Sequence, residues 1–214
     1  MIYIFGDSHS SVFTIDNDID YMHPTHKLII KNIFSSFRTE PYTCYNLLNK
    51  INLINNNLKQ LPIKDNDYLF FCYGEVDIRC HIGFHITDKK PLEMIIKETI
   101  ERYIKFLLYY KSKYTNIGVY APIASGLNNC IQGNGRPSYK TYIERNKITK
   151  VFNNMLKDYC KKYDILFTSI TNDLINYDNT SKNMFYANDN IHLNKKSQFL
   201  LEDKFSDLIT NDIE

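Results

Sequence analysis

Ser8 stands between Asp7 and His9 in the first few residues, and Asp189 precedes His192 by three positions near the other end of the chain. A serine hydroxyl is a weak nucleophile until a base within hydrogen-bond reach takes its proton, and that base needs a third group to fix its tautomer. The run Asp189-Asn190-Ile191-His192 lets one short loop present a carboxylate to one imidazole nitrogen and leave the other for Ser8. Singly, each part has a plainer reading: Asp-Ser after a strand is often a helix cap, and an Asp three residues before a His is common. Together, with the serine at the mouth of the first strand and the Asp/His pair just before the last helix, they make a complete relay for acyl transfer.

A second concentration of ionisable groups is Gly74-Glu75-Val76-Asp77-Ile78-Arg79-Cys80-His81, directly after an apolar strand, where low dielectric makes charges expensive unless paired or used. Two readings stand level: an Asp77–Arg79 or Glu75–Arg79 ion pair that braces the loop, or a site in which Arg79 meets a carboxylate, a sugar hydroxyl or a phosphate. Asp77 is also placed to orient the Ser8 loop. His81 and His85 lack an accompanying carboxylate or cysteine cluster, so no metal is expected. His9, adjacent to the nucleophile, is expected to support its loop rather than act as a rival base. Cys44 and Cys80 read as buried thiols, and His23 and His26 as surface loop residues. The Gly126–Gly135 loop, with Asn128, Asn129, Gln132 and Asn134, reads either as a donor set for a polyhydroxylated substrate or as a lid, and its glycines lack dinucleotide spacing.

The elements that must position these groups follow from hydrophobic periodicity. Met1–Phe5, Tyr42–Tyr45, Tyr68–Tyr73, Ile117–Ala121 and Ile165–Phe167 read as strands. Lys27–Phe37, with apolar Leu28, Ile29, Ile30, Ile33, Phe34 and Phe37, reads as the first helix, followed by helices over Leu47–Leu58, Leu92–Tyr110, Ser138 (as cap) to Tyr163, and Lys195–Leu208. The segment 172–190 reads as loop. Strands alternating with helices predict a parallel sheet covered on both faces, a three-layer α/β/α sandwich of five parallel strands in the flavodoxin-like manner. In such sheets ligands bind beyond the carboxyl ends of the strands, where Asp7-Ser8, Gly74–Arg79, the Pro122 loop and Asp189–His192 would gather.

The chain has 214 residues, and residues 1–214 are expected to form one domain, complete in itself or one unit of a longer polypeptide. With 43% hydrophobic and 23% charged residues it can build a core. A net charge of +2 with scattered Lys and Arg argues against a nucleic-acid partner. No run approaches the roughly 18 apolar residues of a membrane span, and Ile2–Phe5 meets Gly6-Asp7 too soon for a signal-peptide core, so a cytoplasmic protein with no membrane partner is expected. Five cysteines without a CxxC pair suggest neither a disulfide framework nor a zinc site.

Phe5-Gly6-Asp7-Ser8-His9-Ser10 and Asp189-Asn190-Ile191-His192 resemble the first and last sequence blocks of the SGNH/GDSL hydrolase superfamily, and the resemblance spans the chain. It implies the SGNH-hydrolase fold, a five-stranded parallel sheet between helices, with Ser8 as nucleophile, its amide in the oxyanion hole, and Asp189 and His192 completing a triad. The family's third block usually reads Gly-x-Asn-Asp with the asparagine donating to the oxyanion; here Gly74-Glu75-Val76-Asp77 puts a valine there. Replacement donors or substrate contacts are therefore sought in Asp7, Gly74, Asp77, Arg79 and His81, and in Thr43, Cys44 and Asn46, where the second-block glycine has no clear counterpart. The implied function is movement of an acetyl group to or from a carbohydrate through an acyl-enzyme. The product is either an acetylated sugar or nucleotide-sugar, with acetyl-coenzyme A as co-substrate and no tightly bound cofactor, or a deacetylated sugar. A catalytically silent carbohydrate-binding module is the rival from another class.

Overall fold

The computed structural model describes residues 1–16, 24–127 and 137–211; the expectations for His23 and for Asn128, Asn129, Gln132 and Asn134 lie outside them. Six strands form one sheet: β1 (Ile2–Gly6), β2 (Leu28–Lys31), β3 (Phe34–Arg38), β4 (Tyr68–Cys72), β5 (Asn116–Tyr120) and β6 (Leu166–Thr168), in the order β2-β3-β1-β4-β5-β6. All neighbours are parallel except β2, which runs antiparallel at the edge. Helices α1 (Ile51–Leu58), α2 (Glu75–Cys80), α3 (Leu92–Lys111), α4 (Tyr142–Lys162), α5 (Thr171–Leu174) and α6 (Gln198–Asn211) complete the layers.

Continuous apolar runs form the central strands because both sheet faces are covered. Successive side chains point to opposite faces, so Tyr3 and Phe5 join Phe37, Leu69, Phe71 and Val119 under α1, α3 and α4. Ile2 and Ile4 join Phe34, Phe70 and Tyr120 on the other face, where Phe13 of the 3₁₀ turn Ser8–Phe13 and Phe205 of α6 close the layer. The three-layer α/β/α architecture is therefore present, with five parallel strands and one antiparallel addition.

Four sequence expectations are corrected. Lys27–Phe37 is a hairpin, not a helix: Asn32 turns the chain at a φ of 52°, and Ile30 is left 57% exposed on an edge strand. Its apolar spacing fits both periods, and its β-branched residues decide for the strand once β1 offers an edge to pair with. The second parallel strand is consequently Phe34–Arg38, and Cys44–Lys50, which includes half of the expected strand Tyr42–Tyr45, is a 3₁₀ turn leading into α1. The cap of α4 is Thr141, which exchanges hydrogen bonds with Glu144 in a capping box, rather than Ser138. Within 172–190, expected as loop, lie most of α5 and a 3₁₀ turn at Asn183–Phe185. Among the described residues no helix is long and apolar enough to cross a membrane.

Candidate active site

β1 ends at Gly6, whose Cα faces Cys72 across the β1/β4 pair and Arg38 across β1/β3. A Cβ at Gly6 would lie 2.2 Å from the Cys72 carbonyl oxygen, so only glycine lets β1 leave the sheet here. Asp7 then caps the Ser8–Phe13 turn, its Oδ1 accepting the His9 amide at 3.0 Å. Ser8, the first residue of the turn, is half-buried, while Asp7, His9 and Ser10 are buried.

The segment between α5 and α6 brings the base. Asp189 Oδ1 accepts the amides of Ile191 and His192 at 3.0 and 3.1 Å, an Asx-type turn in which Asn190 takes the left-handed conformation at a φ of 55°. The turn is closed by the Ala187 amide donating to the His192 carbonyl. Asp189 Oδ2 is left for His192 Nδ1 at 2.5 Å, and His192 Nε2 lies 2.7 Å from Ser8 Oγ. Burial would raise Asp189, but its bonds with His192 and the turn amides hold it below the ordinary carboxylate value. Burial brings His192 below its ordinary 6.5, with the hydrogen bond to Asp189 opposing and the charge of His9 adding to the fall. The ring is thus neutral at neutral pH, with its tautomer fixed by Asp189 and a lone pair toward Ser8. Three residues separated by up to 184 positions form one line of proton transfer.

The third-block residues divide. Gly74 adopts a φ of 114°, and a Cβ there would meet Pro122 Cγ at 2.6 Å, so the turn into α2 requires glycine. Val76 is buried and has no side-chain donor. Asp77 does not face the nucleophile's hydroxyl: its Oδ2 accepts the Cys44 amide at 2.7 Å and its Oδ1 the Tyr45 amide at 3.3 Å. Arg79 is buried and turned to Glu75, donating through Nε at 2.6 Å and Nη2 at 3.1 Å, so the bracing pair is Glu75–Arg79. Thr43, Asn46, Asp77 and His81 line a cavity of about 320 Å³ together with His85 and Lys90. Cys44 is fully buried and burial holds its thiol well above the ordinary range; Cys80 is also buried.

Glu75 is the site residue that sequence reasoning did not single out beyond its pairing with Arg79. Its Oε2 also reaches His9 Nε2 at 3.3 Å, and His9 stacks on His192. The i,i+4 spacing to Arg79 was readable; the reach to His9 depends on the Gly6/Cys72 register that sets the loops after β1 and β4 side by side. Among the described residues no group of three or more His, Cys, Asp or Glu is placed to hold a metal ion.

Solved structures share this fold. The chain aligns over its whole length with 88% of a Bacteroides fragilis protein described provisionally as an acylhydrolase, at 14% identity and a TM-score of 0.63. It aligns over 99% of its length with 88% of a GDSL-like lipase of Bacteroides thetaiotaomicron, at 15% identity and a TM-score of 0.60. An acetylxylan esterase of Geobacillus stearothermophilus, solved as a catalytic mutant, matches 95% of this chain and 91% of its own, at 11% identity and a TM-score of 0.53. No family model matches the sequence, and no curated protein matches it. The chain shares its fold with these three structures.

Proposed function

We propose that the protein is a serine-dependent acyl-ester hydrolase of the SGNH type, acting on acetyl esters of a carbohydrate. The observation that carries this is the unbroken line Asp189 Oδ2, His192, Ser8 Oγ at 2.5 and 2.7 Å, on a half-buried serine just beyond the carboxyl end of β1. A sugar-binding module has no need of such a relay. The acetyl and carbohydrate assignments draw support from the acetylxylan esterase among the structures of like fold.

In the first half-reaction His192 Nε2 takes the Ser8 proton as Oγ attacks the ester carbonyl, and Asp189 stabilises the resulting imidazolium. The tetrahedral oxyanion needs donors. Val76 offers none, and the amides of Cys44, Tyr45 and Asn46 are committed to Asp77 and to the Thr43 carbonyl. The Ser8 amide is the donor assigned to the oxyanion, and Thr43 and Asn46, whose side chains line the cavity beside the Asp77 clasp, are the candidates to join it. Collapse breaks the ester C–O bond, and the leaving alcohol takes the proton from His192. Water, activated by the same imidazole, then releases acetate from Ser8. A sugar hydroxyl or amine in place of water would make the same intermediate serve acetyl transfer.

Wild type and Ser8→Ala are incubated with a fluorophosphonate probe, then with aryl acetates and acetylated xylo-oligosaccharides, and separately with acetyl-coenzyme A and amino sugars. Labelling confined to Ser8 and serine-dependent acetate release are expected. Serine-dependent acetylation of the amino sugar would reassign the protein as a transferase; absence of labelling in wild type would overturn the nucleophile and favour the silent binding module.

A further inference from the structure

One buried imidazole is left without a role by the relay. His9 is 6% exposed and follows the nucleophile, yet its Nε2 turns away to Glu75 Oε2 at 3.3 Å. Its ring lies against that of His192, with centroids 4.9 Å apart and planes 29° apart. Glu75 is itself held by the two-point grip of Arg79. Arg79, Glu75, His9 and His192 thus form a row, and three of the four are buried beyond nine-tenths. Buried charges persist only where each has a counterpart. Here the row runs from a guanidinium to a carboxylate to an imidazole whose protonation that carboxylate favours, and it ends on the ring that must stay neutral to accept a proton from Ser8.

We propose that His9 is a positioning residue for His192: paired with Glu75, it sets a positive charge against the face of the His192 ring, which keeps that ring aligned on Ser8 and opposes its protonation. The proposal rests on the reading of His192 as the general base. It also explains why a glutamate follows Gly74: the carboxylate gives His9 a partner that a neutral residue would not.

The groups that face His9 are of both signs, and the carboxylates outweigh the cation. Asp7 approaches from its own turn, Glu75 and Arg79 from α2, and His192 with Asp189 behind it from the loop before α6. Burial works against a charge on His9, but the hydrogen bond and charge of Glu75, joined by Asp7, outweigh it and the repulsion of Arg79, and hold the ring above its ordinary 6.5. Cys72, Tyr73 and Tyr120 share a small buried space with it and stay neutral, burial raising each well above its ordinary value. His192 moves the opposite way. A unit charge about 5 Å away at an effective dielectric near 20 is worth on the order of two pH units, partly offset by the Glu75 carboxylate behind it, enough to matter to a base poised near neutrality.

The test follows the two imidazoles by nuclear magnetic resonance in the Ser8→Ala protein, where no turnover is needed. His9 should keep both ring protons through neutral pH while His192 titrates below 6.5. His9→Phe keeps a stacking ring and removes the charge; it should raise the His192 midpoint by about one unit. His9→Gln, which loses the stack and retains a donor for Glu75, should also raise it, and thermal melts confirm that each variant is folded. Where hydrolysis is measured in the Ser8 background, the acid limb of kcat/KM should move up by the same amount. A neutral His9 at neutral pH in the Ser8→Ala protein, or an unmoved His192 midpoint in a folded variant, overturns the proposal. The order of titration in Ser8→Ala decides the matter even if neither variant folds. Because the titration needs no substrate, its failure is distinct from a failure of the hydrolase reading, which would show as unlabelled Ser8 in the fluorophosphonate experiment.

Discussion

Asp77 Oδ2 accepts the Cys44 amide at 2.7 Å while its Oδ1 accepts that of Tyr45 at 3.3 Å, which ties α2 to the segment after β3. Since β3 and β4 are the two neighbours of β1, the clasp closes over the end of the strand that carries Ser8. Asp77→Asn puts an amide N–H₂ where one carboxylate oxygen receives an N–H, so two donors face each other in a buried site. The variant should lose about 1–3 kcal/mol in urea unfolding. Burial, set against the backbone hydrogen bonds, pushes Asp77 up to about 7 from an ordinary 3.8. A folded-state value above the unfolded one means that its stabilising contribution is full below about pH 4 and is lost as pH rises through 7. The stability gap between wild type and Asp77→Asn should therefore narrow over that window, and a gap that widens would contradict the protonated clasp.

Gly74→Ala and Gly6→Ala test the two turns that aim the site. At Gly74 a φ of 114° is strained for any L side chain, and the new methyl would sit 2.6 Å from Pro122 Cγ. A loss of at least about 1–3 kcal/mol is expected from the backbone conformation alone. At Gly6 the obstacle is the Cys72 carbonyl at 2.2 Å, a backbone atom at the end of the β1/β4 ladder that also accepts the Asp7 amide and cannot turn aside. Gly6→Ala should therefore be the more damaging of the two, read as soluble yield and denaturation midpoint.

The relay was legible because its parts are local: a Ser after a buried strand, and an Asp and a His three apart on one turn. The strands β1, β4 and β5 were legible because burial on both faces writes them as continuous apolar runs. The hairpin at Leu28–Arg38 was not, since Leu28, Ile29, Ile30, Ile33, Phe34 and Phe37 satisfy a helical stripe as well as two short strands. What separates the readings is the open edge of β1, a tertiary fact. The capping box of α4 is written in the letters Thr141-Tyr142-Ile143-Glu144, and it sets the helix start three residues beyond Ser138. The Glu75–Arg79 pair was among the readings its i,i+4 spacing allowed; the bonds of Asp77 to the Cys44 amide and of Glu75 to His9 could not be read, because those partners are selected by which loops the strand order sets side by side.

Asp189→Asn isolates the orienting role of the carboxylate. An asparagine of the same shape can still close the turn on the Ile191 and His192 amides, so the fold should survive with a melting temperature close to wild type. It cannot hold an imidazolium at 2.5 Å, and it lets the ring adopt the wrong tautomer toward Ser8. Hydrolysis should fall by on the order of 10³–10⁴-fold, mostly in kcat. Activity within about tenfold of wild type would remove Asp189 from the relay.

The pH dependence of hydrolysis reports the state of His192 itself. Burial, aided by the charge of His9 and opposed by Asp189, places the ring below its ordinary 6.5. Protonated His192 cannot accept the Ser8 proton, so kcat/KM should rise with pH along an acid limb whose midpoint lies below 6.5 and be flat by neutrality. The sign is opposite to the usual one for a histidine beside a carboxylate, where the ion pair alone would carry the midpoint upward. An acid limb centred above 6.5 would mean that Asp189 outweighs burial and that the ring spends much of its time at neutral pH as an imidazolium, unable to activate the serine.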